Sequence, residues 1–168
     1  MSIAQSMLPE FDHEMANARE CLSRIPADKL DWQAHEKSYD LRGLATHIAN
    51  LPKWTVMTLE ETAFDMEPEG GEPITEDPVD SVEQALEMFD ASVAAAREAI
   101  TNATDESMMA SWSLLKGGEE VLTMPRVAVL RSFIMNHLIH HRAQLGVYLR
   151  LNDVPVPALY GPSADETS

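Results

Sequence analysis

Apolar positions recur three and four residues apart over four long stretches, and each stretch predicts an amphipathic helix. The first runs from about Ser2 to Arg24, with Ile3, Met7, Leu8, Phe11, Met15, Ala18 and Leu22 on one face. Pro9 marks a kink or a late start in it. Ile25-Pro26-Ala27-Asp28 ends the helix, and Leu30 to His35 reads as an irregular link with Trp32 packed inward. Asp40 is placed to cap a second helix from about Leu41 to Phe64, whose inner side carries Leu44, His47, Ile48, Leu51 and Trp54. Pro52 falls inside that run, removes the backbone bond to the Ile48 carbonyl and predicts a kink.

Glu67 to Val79 holds three prolines, two glycines and five acids and reads as a solvated loop. Ser81 or Asp80 caps a third helix to about Asn102, with Val82, Ala85, Leu86, Phe89, Val93 and Ile100 inward. The period then changes. Trp112 to Leu115 and Glu120 to Thr123 flank Lys116-Gly117-Gly118-Glu119, which reads as a small hairpin. Thr123 can cap a fourth helix running from about Met124 to Leu151, with Pro125 in its first turn. Asn152-Asp153 ends it, and the extended tail from Val154 to Pro162 must lie over the helices. The pattern predicts an all-α fold with one small hairpin before the last helix, forming a single domain over residues 1–168.

Composition narrows the partners. A chain of 168 residues, 45% of them hydrophobic, suits one domain with a sizeable core. The formal net charge of −16, from 28 acidic and 12 basic side chains, argues against a nucleic-acid partner, since phosphate binding depends on Lys and Arg. No apolar run has the length of a membrane span, and the start lacks the basic end and apolar core of a signal peptide. Cys21 is the one cysteine, so no internal disulfide is possible and a cytoplasmic setting is expected.

The candidate chemistry lies in the fourth helix. His137 and His141 are four apart, so both rings leave one face and can grip one metal ion. His141 falls within the apolar stripe of Val127, Leu130, Ile134, Leu138 and Leu145, and His137 at its edge. His140 is rotated about 60° from His137, toward solvent or a neighbouring chain. A histidine pair alone is more often the mark of two core side chains satisfied by ordinary hydrogen bonds than of a metal site. A third ligand changes the balance, and His47, between Leu44 and Leu51 on the inner side of the second helix, can meet the pair across the bundle. His13 and His35 read as exposed.

Three segments carry a family resemblance: Leu44 to Trp54, Asn136 to Leu145, and the tail from Val154-Pro155 through Tyr160-Gly161-Pro162 to Glu166. Together with the Trp32 link and the Gly-Gly hairpin, they resemble the DinB-like (DinB/YfiT) superfamily over nearly the whole chain. The resemblance implies a four-helix bundle with a long crossover and a divalent metal on His47, His137 and His141. It further implies a small-molecule substrate, and often a homodimer. Characterised relatives include transferases and isomerases that use low-molecular-weight thiols.

Three neutral imidazoles leave the full charge on a cation, which can activate a bound water or a thiol. Zinc and nickel both suit such ligands, as do iron and copper. Asn50, Asn136 and Gln144 are candidates to orient the rings, and Tyr148 and Tyr160 to donate a proton or touch substrate. No carboxylate is expected on the inner faces near the histidines, and Arg142 is expected to point outward and pair with an acid. Three readings follow: a metal-dependent transferase using a low-molecular-weight thiol, a metal-dependent hydrolase of a small substrate, or a non-catalytic metal-binding stress-response protein.

Overall fold

The computed structural model describes residues 1–71 and 75–167. Helix α1, Ile3–Ser23, opens with a reciprocal cap: the Ser2 hydroxyl accepts from the Gln5 amide and the Gln5 side chain accepts from the Ser2 amide. Asp105 takes up a further free donor, accepting from the Ile3 amide at 2.8 Å. Pro9 sits inside α1 without delaying its start.

The second predicted helix is divided. Helix α2, Leu41–Asn50, is capped by Asp40, whose carboxylate accepts from the Gly43 amide at 2.7 Å. Pro52 then forces a 3-10 turn over Leu51–Lys53, and helix α3, Trp54–Glu60, follows. The chain does not stay helical to Phe64. Ala63–Asp65 is strand β1. Phe64 folds back onto Trp54, ring centroids 4.9 Å apart, and the backbone beside it covers an edge of the hairpin.

Helix α4, Val82–Asn102, begins at the Ser81 cap as expected. A short helix α5, Asp105–Met109, follows with Met108 buried. Strands β2, Ser111–Lys116, and β3, Glu119–Pro125, form the hairpin. β1 pairs with β2 in parallel, Phe64 opposite Leu114, so the sheet has three strands in the order β1-β2-β3. The fold is therefore mostly helical with a small sheet, and not purely α. Gly117 and Gly118 turn the hairpin at φ 62° and 79°, a region closed to most side chains. Both of their amides donate to the Asp65 carboxylate, at 3.0 and 2.7 Å.

Thr123 is a strand residue opposite Ser113 and does not cap the last helix. That helix starts later, as α6, Arg126–Val129, and continues through a π turn at Leu130–Met135 into α7, Asn136–Leu151. The Arg126 guanidinium holds the junction by donating to the carbonyls of Glu61, at 2.9 Å, and Ser107. Among the long helices, α4 packs on α1 and α2, and α7 packs on the same two, so the bundle runs α1-α4-α2-α7 around its axis. Phe11, Leu22, Leu44, Ile48, Phe89, Ile100 and Leu130 fill it, each fully buried. Burial of one such side chain stabilises by about 1.5–3 kcal/mol. No helix among the described residues is long and apolar enough to cross a membrane.

Two expectations about exposure fail. Along α7 the buried line is Leu138, Arg142, Leu145 and Leu149, spaced four, three and four. Arg142 therefore points into the bundle, 2% exposed, and not outward. It does pair with an acid: Glu14 of α1 accepts from it at 2.6 Å. The loop after β1 is also only partly solvated. The Val79 side chain is buried, its amide donates to the Thr46 hydroxyl at 3.0 Å, and its carbonyl accepts from Arg42 at 2.7 Å. Residues 72–74 of that loop lie outside the described residues.

Candidate metal centre

Two helices bring the histidines together. His47 leaves α2 and His137 and His141 leave α7 one turn apart, and α2 packs directly on α7. Their Nε2 atoms converge: His137 lies 3.3 Å from His47 and 2.9 Å from His141. One nitrogen from each of the three falls within 4.8 Å of the others. Around a tetrahedral ion with nitrogen about 2.0–2.1 Å away, ligand nitrogens stand about 3.3 Å apart. The spacing fits a single divalent cation.

The outer nitrogens fix the tautomers. His141 Nδ1 donates to the Gln144 side-chain oxygen at 2.7 Å, and His47 Nδ1 donates to the Glu76 carboxylate at 3.2 Å. An amide oxygen and a carboxylate only accept, so each neutral ring carries its proton on Nδ1 and turns an Nε2 lone pair inward. Both lone pairs face the Nε2 of His137, which has one proton at most to offer. The centre is rich in lone pairs and complementary to a cation. Burial first, and the neighbouring rings second, push the His137 pKa below its ordinary value. Burial likewise pushes His141 down to about 4, against the hydrogen bond that its ring donates to Gln144. Both side chains are thus held as neutral ligands at neutral pH.

His137, His141, Gln144 and Tyr148 are spaced four, three and four, so the polar stripe of α7 runs beside the buried one. His141, Gln144 and Tyr148 of that stripe line a cavity of about 460 Å³, closed by Glu36, Lys37, Ser38 and Tyr39 of the link. On the other side of His47 lies a larger cavity, about 840 Å³, lined by Asn50, Trp54, Met57 and Phe64 among others. Tyr39 walls both, stacked on His47 at 5.8 Å and edge-on to His141 at 6.1 Å.

The other candidates are dispersed. Asn50 lines the larger cavity with its amide donating to the Thr46 carbonyl, whereas Asn136 is exposed and lines neither. The Tyr148 hydroxyl donates to the Tyr39 carbonyl at 3.0 Å. Tyr160 is held elsewhere, its hydroxyl donating to Glu14 at 2.7 Å and accepting from Arg142. His140, His13 and His35 are exposed.

Glu76 and Tyr39 escape a reading of the sequence. Glu76 is one of five acids in its loop, with nothing to mark it apart. It reaches His47 because Val79, three residues on, is clamped to α2. The buried Glu14 left a clearer trace: it stands three after Phe11 and four before Ala18, on the inner stripe of α1.

Fold and site together define a helical-bundle protein whose three histidines can hold one metal ion. The model of the DinB family matches the chain over residues 1–168, and the chain belongs to that family. A DinB-like protein of Bacillus cereus has a similar fold, with a TM-score of 0.71 at 20% identity over 95% of this chain and 98% of that one. YjoA, a DinB-like protein of Bacillus subtilis, gives 0.68 at 17% identity over 90% and 96%. No curated protein matches the chain.

Proposed function

We propose that the protein is a metal-dependent transferase acting on a small molecule, with a low-molecular-weight thiol as the second reactant. The observation that carries this reading is the position of the histidine cluster between two cavities that share Tyr39 as a wall. A two-reactant transfer needs two approaches to one centre; a hydrolase needs one approach and water. The protein residues that would hold a zinc or nickel ion are His47, His137 and His141. Such a cation supplies charge that favours deprotonation of a thiol or water. Gln144 and Glu76 hold two of the rings in register for it. Glu76 is committed to His47 and is not placed as a free base, which supports transfer over carboxylate-assisted hydrolysis. Tyr148, tied to the Tyr39 backbone, keeps the smaller cavity in shape.

The test is direct. The cobalt-loaded protein is titrated with a small thiol and followed by absorption. A thiolate-to-cobalt band in the near ultraviolet, absent from His141→Ala, is the expected result. Absence of that band, together with turnover of simple esters without thiol, would replace the transferase by a hydrolase.

A further inference from the structure

The chain carries 12 basic side chains against 28 acidic ones, and most are consumed within the fold. Eight of them, Lys116 and seven arginines, lie within 4.0 Å of a carboxylate. Arg126 is buried against backbone carbonyls. Among the described residues this leaves Lys29, Lys37 and Lys53 without a carboxylate partner. Lys37 and Lys53 each line a cavity beside the histidines. In a protein of net charge −16, two ammonium groups with no carboxylate partner among the described residues stand out, although Glu36 shares the mouth with Lys37.

The larger cavity joins such a charge to an apolar wall. His47, Asn50, Trp54 and Met57 follow at helical spacing across the Pro52 turn, and that turn sets Lys53 at the rim beside Trp54. Phe64 and Met88 complete the apolar side. Among the described residues the acids of the same rim are Glu76, which is held by His47, and Asp77. A divalent cation on the histidines would balance the two acids, which leaves the Lys53 ammonium as the surplus charge of a mostly apolar cavity.

We propose that this cavity binds an amphipathic carboxylate, with its apolar body on Trp54, Met57, Phe64 and Met88 and its carboxylate on the Lys53 ammonium. The inference deepens the transferase reading, since it names the class of substrate presented to that centre, and rests on it. At the exposed Lys53 an ammonium–carboxylate contact separates an acid from its neutral amide by about two- to fivefold.

Octanoate, octanamide and octylammonium are titrated by calorimetry into the zinc-loaded and the metal-free full chain, for wild type, Lys53→Gln and Lys53→Arg. The expected result is octanoate binding about two- to fivefold tighter than octanamide and octylammonium weakest. Lys53→Gln should lose that preference and Lys53→Arg should keep it, with metal content unchanged in both. Equal binding of the three probes, or a preference that survives in Lys53→Gln because the carboxylate sits on the metal, would overturn the proposal. A Lys53-dependent preference in the metal-free chain, with no ion taken up on loading, would uphold this site while removing the metal-dependent reading.

Discussion

Glu76 reaches His47 from 29 residues further along the chain, its carboxylate 3.2 Å from the ring Nδ1. The contact exists because Val79 is fastened to α2 through Thr46 and Arg42, which draws the end of an otherwise polar loop onto the helix that carries His47. A carboxylate behind a ligating imidazole raises its basicity and fixes its rotation.

Glu76→Ala should therefore weaken metal binding by about 10–100-fold without unfolding the chain. Competition against a chelator of known affinity measures it. Thr46→Val should move affinity the same way by a smaller factor, because it loosens the loop and leaves the carboxylate present.

Arg142 and Glu14 form an ion pair buried in the bundle, with side chains 2% and 6% exposed. Tyr160 closes it from the tail, and Arg24–Glu166 and Arg150–Asp165 pin the same tail to α1 and α7. Glu14→Gln leaves an uncompensated guanidinium and should cost about 3–5 kcal/mol in urea unfolding. Tyr160→Phe removes one hydrogen bond and should cost about 1 kcal/mol. A cost for Glu14→Gln no larger than for Tyr160→Phe would show that the pair is solvated.

The pH dependence has a definite sign. His141 titrates at about 4 in the folded chain because burial disfavours its charge, and near 6.5 when unfolded. Between these values the unfolded chain binds the extra proton, so the metal-free protein loses stability as the pH falls through that window. Above about 7 the contribution is constant. His141→Gln should flatten this part of the melting-temperature profile relative to wild type. Parallel profiles for the two proteins from pH 7 to 4 would place the destabilising proton elsewhere.

Periodicity and turn chemistry made much of this legible. The spacing of Leu44, His47, Ile48 and Leu51 put His47 inward, and the spacing of His137 and His141 put both rings on one face. Gly117-Gly118 located the hairpin turn. What escaped depends on contacts distant in sequence. Ala63–Asp65 becomes a strand because β2 offers it an edge, and no local pattern over three residues announces that. The π turn at Leu130–Met135 leaves the hydrophobic spacing of Leu130, Ile134 and Leu138 intact, so the extra residue is invisible to it. Arg142 is hidden for a plainer reason: a guanidinium reads as exposed, although its position between Leu138 and Leu145 lies on the buried line.

The most direct test of the account is the metal content of purified wild type, His47→Ala, His137→Ala, His141→Ala and His140→Ala, by elemental analysis. Wild type and His140→Ala should carry one divalent ion per chain. His137→Ala and His141→Ala should carry almost none, and His47→Ala should be severely depleted. A full complement of metal in His141→Ala, or loss of metal in His140→Ala alone, would contradict it.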